Sequence, residues 1–272
     1  TAVTQLRSGA TYNTLNGGDG TDTLTITSAG AISMVDDDFK AITNIEKITL
    51  DGVTSTGAGD ITVTTGGWYD ASFKAAGSDL TIKAEDGDAV SFTGGTFSGV
   101  QKLTVETAGV GDTTADNVTV LTGSGNDTVT VTASSWVGHA TTNGAISIAT
   151  GAGSDTISLT TGTLLANANA GKLIEITGGT GADTITVSHT NNAAITGNII
   201  FNVAAGDSAK AAFDSITGFK MSDIGGTGGR SSDGLNFGTA AISAAVAATA
   251  VSGFAASELT YAINGTTGEV TF

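Results

Sequence analysis

The chain has no cysteine and no proline, and it has few aromatic and basic residues. Its 272 residues include two His, 10 Lys or Arg and 6% aromatic residues, against 26 Asp or Glu. The absence of cysteine excludes disulfides, but long repeat proteins can be stabilised by bound metal instead. The formal net charge of −16 argues against a nucleic-acid partner, which needs clustered Lys and Arg, and favours divalent cations.

Several motifs of common enzyme classes are also missing. The sequence contains no His-Glu-x-x-His, no Gly-x-Ser-x-Gly and no Gly-x-x-x-x-Gly-Lys-Ser/Thr, so zinc proteases, serine hydrolases and phosphate-cradling enzymes are unsupported. The most apolar stretch, residues 240–256, is mostly Ala and Val interrupted by Ser, Thr and Gly, so we expect no membrane span. No N-terminal signal peptide is recognisable, and because the first residue is Thr we expect a fragment. Because the motifs above are missing, we expect no enzymatic activity.

Four glycine-rich bends, by contrast, each place an Asp directly before a β-branched run. They occupy residues 17–24, 123–129, 151–157 and 178–185. The first and last fit G-G-x-G-x-D-x-U-x, where U is a large apolar residue, and this pattern is typical of a calcium-binding parallel β-helix. The two middle bends have the shorter form G-x-G-x-D, which we interpret as lacking the second glycine of the leading pair.

The spacing of the last three bends predicts a solenoid. Asp127, Asp155 and Asp183 follow one another at intervals of 28 residues, as equivalent turns of stacked coils would. After each Asp, polar and apolar residues alternate, so that one face of a strand turns inward. The predicted fold is all-β, a right-handed parallel β-solenoid. Further predicted strands are Asp60–Thr65, Leu80–Ala84, Ala89–Thr93, Val118–Leu121, Ala145–Ala149, Leu173–Thr177 and Ile199–Val203.

The residue types of the bends predict calcium binding. Glycine accepts φ > 0 and exposes backbone carbonyls, and Ca²⁺ takes six to eight oxygen ligands from carboxylates and carbonyls. One bend is half a site, and a second bend stacked about 4.8 Å away can complete it. The predicted calcium-binding residues are Gly17, Asp19, Gly20, Asp22, Gly123, Gly125, Asp127, Gly151, Gly153, Asp155, Gly179, Gly181 and Asp183.

The composition changes near residue 207 and predicts two regions. Residues 1–206 read as the calcium-binding solenoid, and residues 207–272 as a C-terminal cap that covers the last coil. Within the cap, Thr239–Phe254 is predicted to be an Ala-rich helix. Leu259–Ile263 and Glu269–Phe272 are predicted to form a hairpin through Asn264-Gly265.

The bends resemble the repeats of the repeats-in-toxin (RTX) family, which Gram-negative bacteria secrete. Phe213–Lys220 is similar to the segment that follows such repeats in the C-terminal region read by type I secretion. Asn44–Leu50, with the bias toward Thr, Gly and Ala, resembles bacterial surface-layer (S-layer) proteins exported by that route. The resemblance covers most of the chain, although its repeats are spread through longer coils.

The resemblance implies an extracellular structural protein that folds in millimolar calcium. It also implies self-assembly, with calcium bridging subunits in a two-dimensional lattice on the bacterial cell surface. Attachment to lipopolysaccharide would use an upstream part of the same polypeptide that is not present in this sequence.

Three alternatives stay open at the level of sequence. The chain could be the calcium-binding tail of a secreted RTX adhesin or enzyme. The repeated Thr-x-Thr motif could form an ice-binding face, although Thr also suits an ordinary exposed strand. With 26 acids, paired carboxylates of a polysaccharide-cleaving β-helix also stay possible.

Overall fold

The structure is a computed structural model, and it describes fourteen segments of the chain. These are residues 6–8, 11–53, 59–73, 79–84, 89–94, 102–107, 117–133, 145–164, 174–191, 199–203, 214–218, 234–236, 262–263 and 270–271. Within them the chain forms a right-handed parallel β-solenoid, so the predicted fold class is confirmed.

Two parallel sheets of eight strands form the walls of the solenoid. Sheet A consists, in spatial order, of β5 (Ile32–Met34), β8 (Ile61–Thr65), β10 (Val90–Gly94), β12 (Val118–Ser124), β14 (Ile146–Ala152), β16 (Ile174–Thr180), β18 (Ile199–Asn202) and β20 (Gly234–Asn236). Sheet B consists of β4 (Thr23–Ser28), β7 (Lys47–Gly52), β9 (Asp79–Ala84), β11 (Lys102–Thr107), β13 (Thr128–Ala133), β15 (Thr156–Leu164), β17 (Thr184–Asn191) and β19 (Ser215–Thr217).

Three short strand pairs lie outside these sheets. β1 (Arg7–Ser8) and β2 (Thr11–Tyr12) pair antiparallel, and β3 (Leu15–Asn16) and β6 (Ile42–Thr43) pair parallel at the bend of the first coils. β21 (Ala262–Ile263) and β22 (Val270–Thr271) pair antiparallel, as the predicted C-terminal hairpin requires.

The register between coils shows the 28-residue period directly. In sheet A, Val118 pairs with Ile146 and Ile146 pairs with Ile174. In sheet B, Thr128 pairs with Thr156 and Thr156 with Thr184. Each of these three coils therefore runs from a sheet A strand through a glycine bend to a sheet B strand, and the three bends lie above one another.

The core follows from strict alternation along each strand. In β8 the three odd-numbered residues are buried and Thr62 and Thr64 are exposed, and β13 shows the same period of two. Stacking in register places the inward residues in continuous columns. One such column of buried residues is Ile48, Leu80, Leu103, Val129, Ile157 and Ile185. Each fully buried aliphatic side chain contributes about 1.5–3 kcal/mol relative to exposure.

A short helix replaces the glycine bend in one early coil. α1 (Gly67–Phe73) follows β8, and its Tyr69 and Phe73 pack on Phe39 of the 3₁₀-helix Asp36–Phe39. The Asp36 carboxylate accepts hydrogen bonds from the N–H groups of Trp68 at 3.1 Å and Tyr69 at 2.9 Å. An acid from the preceding coil thus caps the positive end of this helix.

Two regional predictions meet these findings differently. The sheets continue beyond residue 207, because β19 and β20 add to sheets B and A. The predicted helix Thr239–Phe254 lies outside the described residues, so the cap as a unit stays a prediction. Among the described segments, no helix is long and apolar enough to cross a membrane.

Candidate metal centre

The four glycine bends share one backbone conformation. Two glycines in each bend, separated by one residue, have positive φ between 94° and 146°. They are Gly18 and Gly20, Gly123 and Gly125, Gly151 and Gly153, and Gly179 and Gly181. This part of φ/ψ space strains other residues, so the repeated glycines are required by the turn itself.

Close stacking imposes a second requirement for glycine. A Cβ atom on Gly151 would overlap the carbonyl oxygen of Gly123, and one on Gly153 would overlap the carbonyl oxygen of Gly125. Gly179 and Gly181 meet the carbonyls of Gly151 and Gly153 in the same way. The glycine carbonyls of one coil therefore point along the stack at the glycines of the next.

The aspartates that end the bends form a column linked by hydrogen bonds. The N–H of Asp127 donates to Oδ1 of Asp155 at 2.8 Å, and the N–H of Asp155 donates to Oδ1 of Asp183 at 2.9 Å. The N–H of Asp183 in turn donates to Oδ1 of Asp214 at 3.1 Å. We call Asp127, Asp155 and Asp183 the aspartate column, and all three are completely buried.

Some carboxylate oxygens of the column have no hydrogen-bond donor in the part of the chain that the structure describes. These are Oδ2 of Asp155 and both oxygens of Asp127. Burying an ionised carboxylate without compensation is strongly unfavourable, so such a group takes up a proton or binds a cation. The described residues therefore leave the negative charge of these buried carboxylates uncompensated.

The pKa of Asp127 shows the same strain. Burial raises it from 3.8 to about 7, and the neighbouring carboxylates of Asp155 and Asp70 add to the rise. Thr122 has a single hydroxyl proton and donates it to the carbonyl of Thr150 at 2.9 Å. It is therefore not a donor to the Asp127 carboxylate, in accord with the two orphaned oxygens.

We expect the metal-free protein to become more stable when the pH falls from 8 to 5. Between pH 3.8 and about 7, Asp127 is protonated in the folded state and ionised in the unfolded chain. The stability that this proton provides is therefore present at low pH and is lost as the pH rises through 7. The expected gain is about 2–3 kcal/mol. Far-UV circular dichroism of metal-stripped protein between pH 8 and 5 measures this as a gain of folded protein at the lower pH, and Asp127→Asn should abolish the pH dependence.

A column of threonine hydroxyls runs beside the aspartates and corrects one interpretation of the motif. Thr122 and Thr150 lie five residues before Asp127 and Asp155, where the full motifs have Gly17 and Gly178. The short bends thus lack the first glycine of the leading pair and keep the second, because Gly123 and Gly151 have the positive φ. The buried Thr150 hydroxyl donates to the Gly178 carbonyl at 2.8 Å.

In the first bend, a glutamate accepts the hydrogen bond that an aspartate accepts in the later coils. The N–H of Asp22 donates to Oε2 of Glu46 at 2.8 Å, so Glu46 takes the place of the next aspartate. Among the predicted residues of this bend, Gly17 packs against Asp22 and the carbonyl of Asn44, whereas Asp19 is exposed. The first of the two positive-φ glycines in this bend is Gly18, which the predicted set omits, and the second is Gly20, which it includes.

Glu46 and Asp214, which accept the backbone hydrogen bonds of Asp22 and Asp183, were not predicted from the sequence. Each directly precedes an alternating strand, as Asp22 and Asp183 do, and this signal was available in the sequence. They were overlooked because neither follows a Gly-x-Gly bend. Register, rather than motif, identifies them.

The donor set of the bends fits a hard cation held partly by backbone. Among the described residues, no group of three or more His, Cys, Asp or Glu side chains is placed to hold a metal ion. An ion here would need carbonyl ligands as well as carboxylates, which is the usual ligand set of Ca²⁺. The carbonyls of Gly125 and Gly153 accept none of the described hydrogen bonds and lie on the same bends as the aspartate column.

Fold and site together define a class: a parallel β-solenoid with one column of glycine bends and buried acids. No protein-family model, no curated protein and no solved structure matches the chain.

Proposed function

We propose that this chain is part of a calcium-dependent structural protein of the RTX type, which folds outside the cell and assembles into a bacterial surface layer. The calcium part of the proposal is carried by the aspartate column. The surface-layer part is supported by the resemblance of Asn44–Leu50 and of the bends, and by the acidic composition.

The mechanism is electrostatic. In the absence of calcium, ionised Asp127, Asp155 and Asp183 would bring negative charge into a buried stack. Calcium offsets that charge, uses glycine carbonyls as additional ligands and allows neighbouring coils to pair. Binding free energy then becomes folding free energy, as in other metal-dependent folds. With the affinity of extracellular calcium modules, about 10⁻⁴ to 10⁻³ M, the chain would stay unfolded in the cytoplasm and fold outside.

Asp155→Asn tests the role of the column. Asn keeps an oxygen that can accept the hydrogen bond from the N–H of Asp127, but it removes a buried charge and a calcium ligand. We expect an unchanged or higher content of β-structure in chelator, and at least a threefold rise in the calcium concentration at the folding midpoint. Circular dichroism at increasing calcium measures both quantities.

Two further variants control this experiment. Asp51→Asn neutralises an acid on the outer face of sheet B and should leave the calcium midpoint unchanged. Asp155→Ala also removes the acceptor of the Asp127 N–H and should be about 1–3 kcal/mol less stable to urea in excess calcium than Asp155→Asn. A calcium midpoint for Asp155→Asn equal to that of the unmodified protein would exclude Asp155 as a ligand.

One observation bears on the ice-binding alternative. An unbroken column of hydroxyls crosses sheet B, but charged residues flank it on β7, β9 and β11. A flat array composed only of hydroxyls is thus confined to a few strands, which favours the structural proposal. Thermal hysteresis of the folded protein distinguishes the two.

A further inference from the structure

The outer face of sheet B carries three columns of outward residues. The central column has a hydroxyl on every strand of the sheet. Its members are Thr25, Thr49, Thr81, Thr104, Thr130, Ser158, Thr186 and Thr217. We call the outward surface of β4 to β19 the sheet B face.

The two flanking columns are charged on three consecutive strands. The left column reads Lys47, Asp79, Lys102, and the right column reads Asp51, Lys83, Glu106. Signs alternate along both columns, and they are also opposite within every row. On the neighbouring strands both flanking positions are hydroxyls, as at Thr128 and Thr132.

Alternation along a column is explained within one chain. Adjacent strands lie about 4.8 Å apart, so opposite charges on neighbouring strands stabilise the sheet, and Lys83 contacts Glu106 at 3.8 Å. The opposite signs within a row have no such explanation. Residues i and i+4 of a strand are about 13 Å apart, which exceeds the screening length of about 8 Å in physiological salt.

We propose that two copies of this chain pack face to face through the sheet B face, with their solenoids parallel. A two-fold axis along the central hydroxyl column places each row of one copy over the reversed row of the other. Lys47 then meets Asp51, Asp79 meets Lys83, and Lys102 meets Glu106. All six charges meet an opposite charge, and hydroxyls meet hydroxyls on β4, β13, β15 and β17.

The opposite orientation is disfavoured by the same residues. A two-fold axis along β9 would place Lys47 over Lys102 and Asp51 over Glu106, so like charges would face each other. An axis between two adjacent charged strands would pair only four of the six charges with opposite ones, whereas the parallel arrangement pairs all six. Charge on this face therefore selects both a second copy of the chain as the partner and the relative direction of the two solenoids.

The size of the contact predicts weak, reversible association. Five residues of about 3.3 Å along each strand and eight strands at about 4.8 Å give roughly 600 Å² per copy. The total of roughly 1,200 Å² lies at the low end for specific interfaces. Such a contact suits one of several that repeat in a lattice. The inference thus rests on the self-assembly in the proposed function, but not on the position of any calcium ion.

A variant with all charges of the left column reversed, which we call the column-swap variant, tests the contact and keeps the alternating charges along that column within one chain. Lys47→Asp, Asp79→Lys and Lys102→Asp together keep alternating signs along the left column, but they give every row two like charges. We expect association in millimolar calcium, measured by sedimentation equilibrium, to weaken at least tenfold. Adding Asp51→Lys, Lys83→Asp and Glu106→Lys restores opposite signs in each row and should return association to within about threefold.

A single introduced cysteine supplies a second measurement, because the chain has none of its own. Thr49 lies on the proposed axis, so in the Thr49→Cys variant the cysteine of one copy faces the cysteine of the other copy only in the parallel arrangement. Ser91→Cys lies on the outer side of sheet A and serves as the control. Under mild oxidation we expect disulfide dimers of Thr49→Cys to form at least fivefold faster.

The outcomes separate this inference from the proposed function. A column-swap variant that folds in calcium and associates as tightly as the unmodified chain would place the contact elsewhere and leave the proposed function intact. Equal cross-linking of the two cysteine variants would also overturn the inference. Calcium-induced folding without any association would overturn both the contact and the surface-layer assembly, and leave only the calcium site.

Discussion

Gly153→Ala is expected to destabilise the protein by about 3–5 kcal/mol, one of the two largest effects that the structure predicts for a small change. Gly153 has φ of +146°, and its Cα lies directly against the carbonyl of Gly125 in the preceding coil. A methyl group would push the two bends apart and remove a carbonyl that we propose as a calcium ligand. Urea unfolding in calcium measures the loss.

Two other glycines separate the causes of this effect. Gly20 has φ of +120° but open space around its Cα, so Gly20→Ala should cost only the backbone strain, about 1–2 kcal/mol. Gly30 also has open space and its φ is not positive, so Gly30→Ala should change stability by less than about 1 kcal/mol. Equal losses for Gly153→Ala and Gly20→Ala would mean that coil-to-coil contact at the bend is unimportant.

The second large effect is expected from neutralising the whole aspartate column. Asp127→Asn, Asp155→Asn and Asp183→Asn together remove three buried charges but keep oxygens for the described hydrogen bonds. The unmodified chain should gain about 2.7 kcal/mol for each site at calcium one hundred times its dissociation constant. The triple variant should gain less than about 1 kcal/mol and should fold in chelator.

A matched triple variant distinguishes the column from net charge. Asp51→Asn, Asp79→Asn and Glu106→Gln neutralise three acids on the outer face of sheet B, so the net charge changes equally. This control should keep the full calcium response of folding at low protein concentration. If both triple variants lose the response to the same extent, calcium acts on overall charge and not at the bends.

The glycine bends and the strands could be predicted because their determinants are local. Alternation of polar and apolar residues placed β8, β10, β12, β14 and β16 to within three residues at each end. Gly-x-Gly indicates the positive φ values that the bends require. The interval of 28 residues predicted that Asp127, Asp155 and Asp183 stack on one another. These signals do not depend on knowing the rest of the fold.

Features that depend on contacts between coils could not be predicted in this way. α1 is capped by Asp36, which is more than thirty residues away in sequence. The start of the helix therefore could not be predicted from a capping residue next to it in sequence. Glu46 and Asp214 each precede an alternating strand, but only the register between coils shows that they accept hydrogen bonds from Asp22 and Asp183. The charge pattern of the sheet B face likewise appears only when Lys47, Asp79 and Lys102 are placed side by side.

The central claim is that calcium binding at the aspartate column drives folding of the solenoid. Its most direct test is a far-UV circular dichroism titration of metal-stripped protein at pH 7.5 with calcium, and with magnesium as the control. We predict a cooperative gain of β-structure with a midpoint between about 10⁻⁴ and 10⁻³ M calcium, and little response to magnesium at the same concentrations. A full β-sheet spectrum in chelator that calcium does not change would contradict the account.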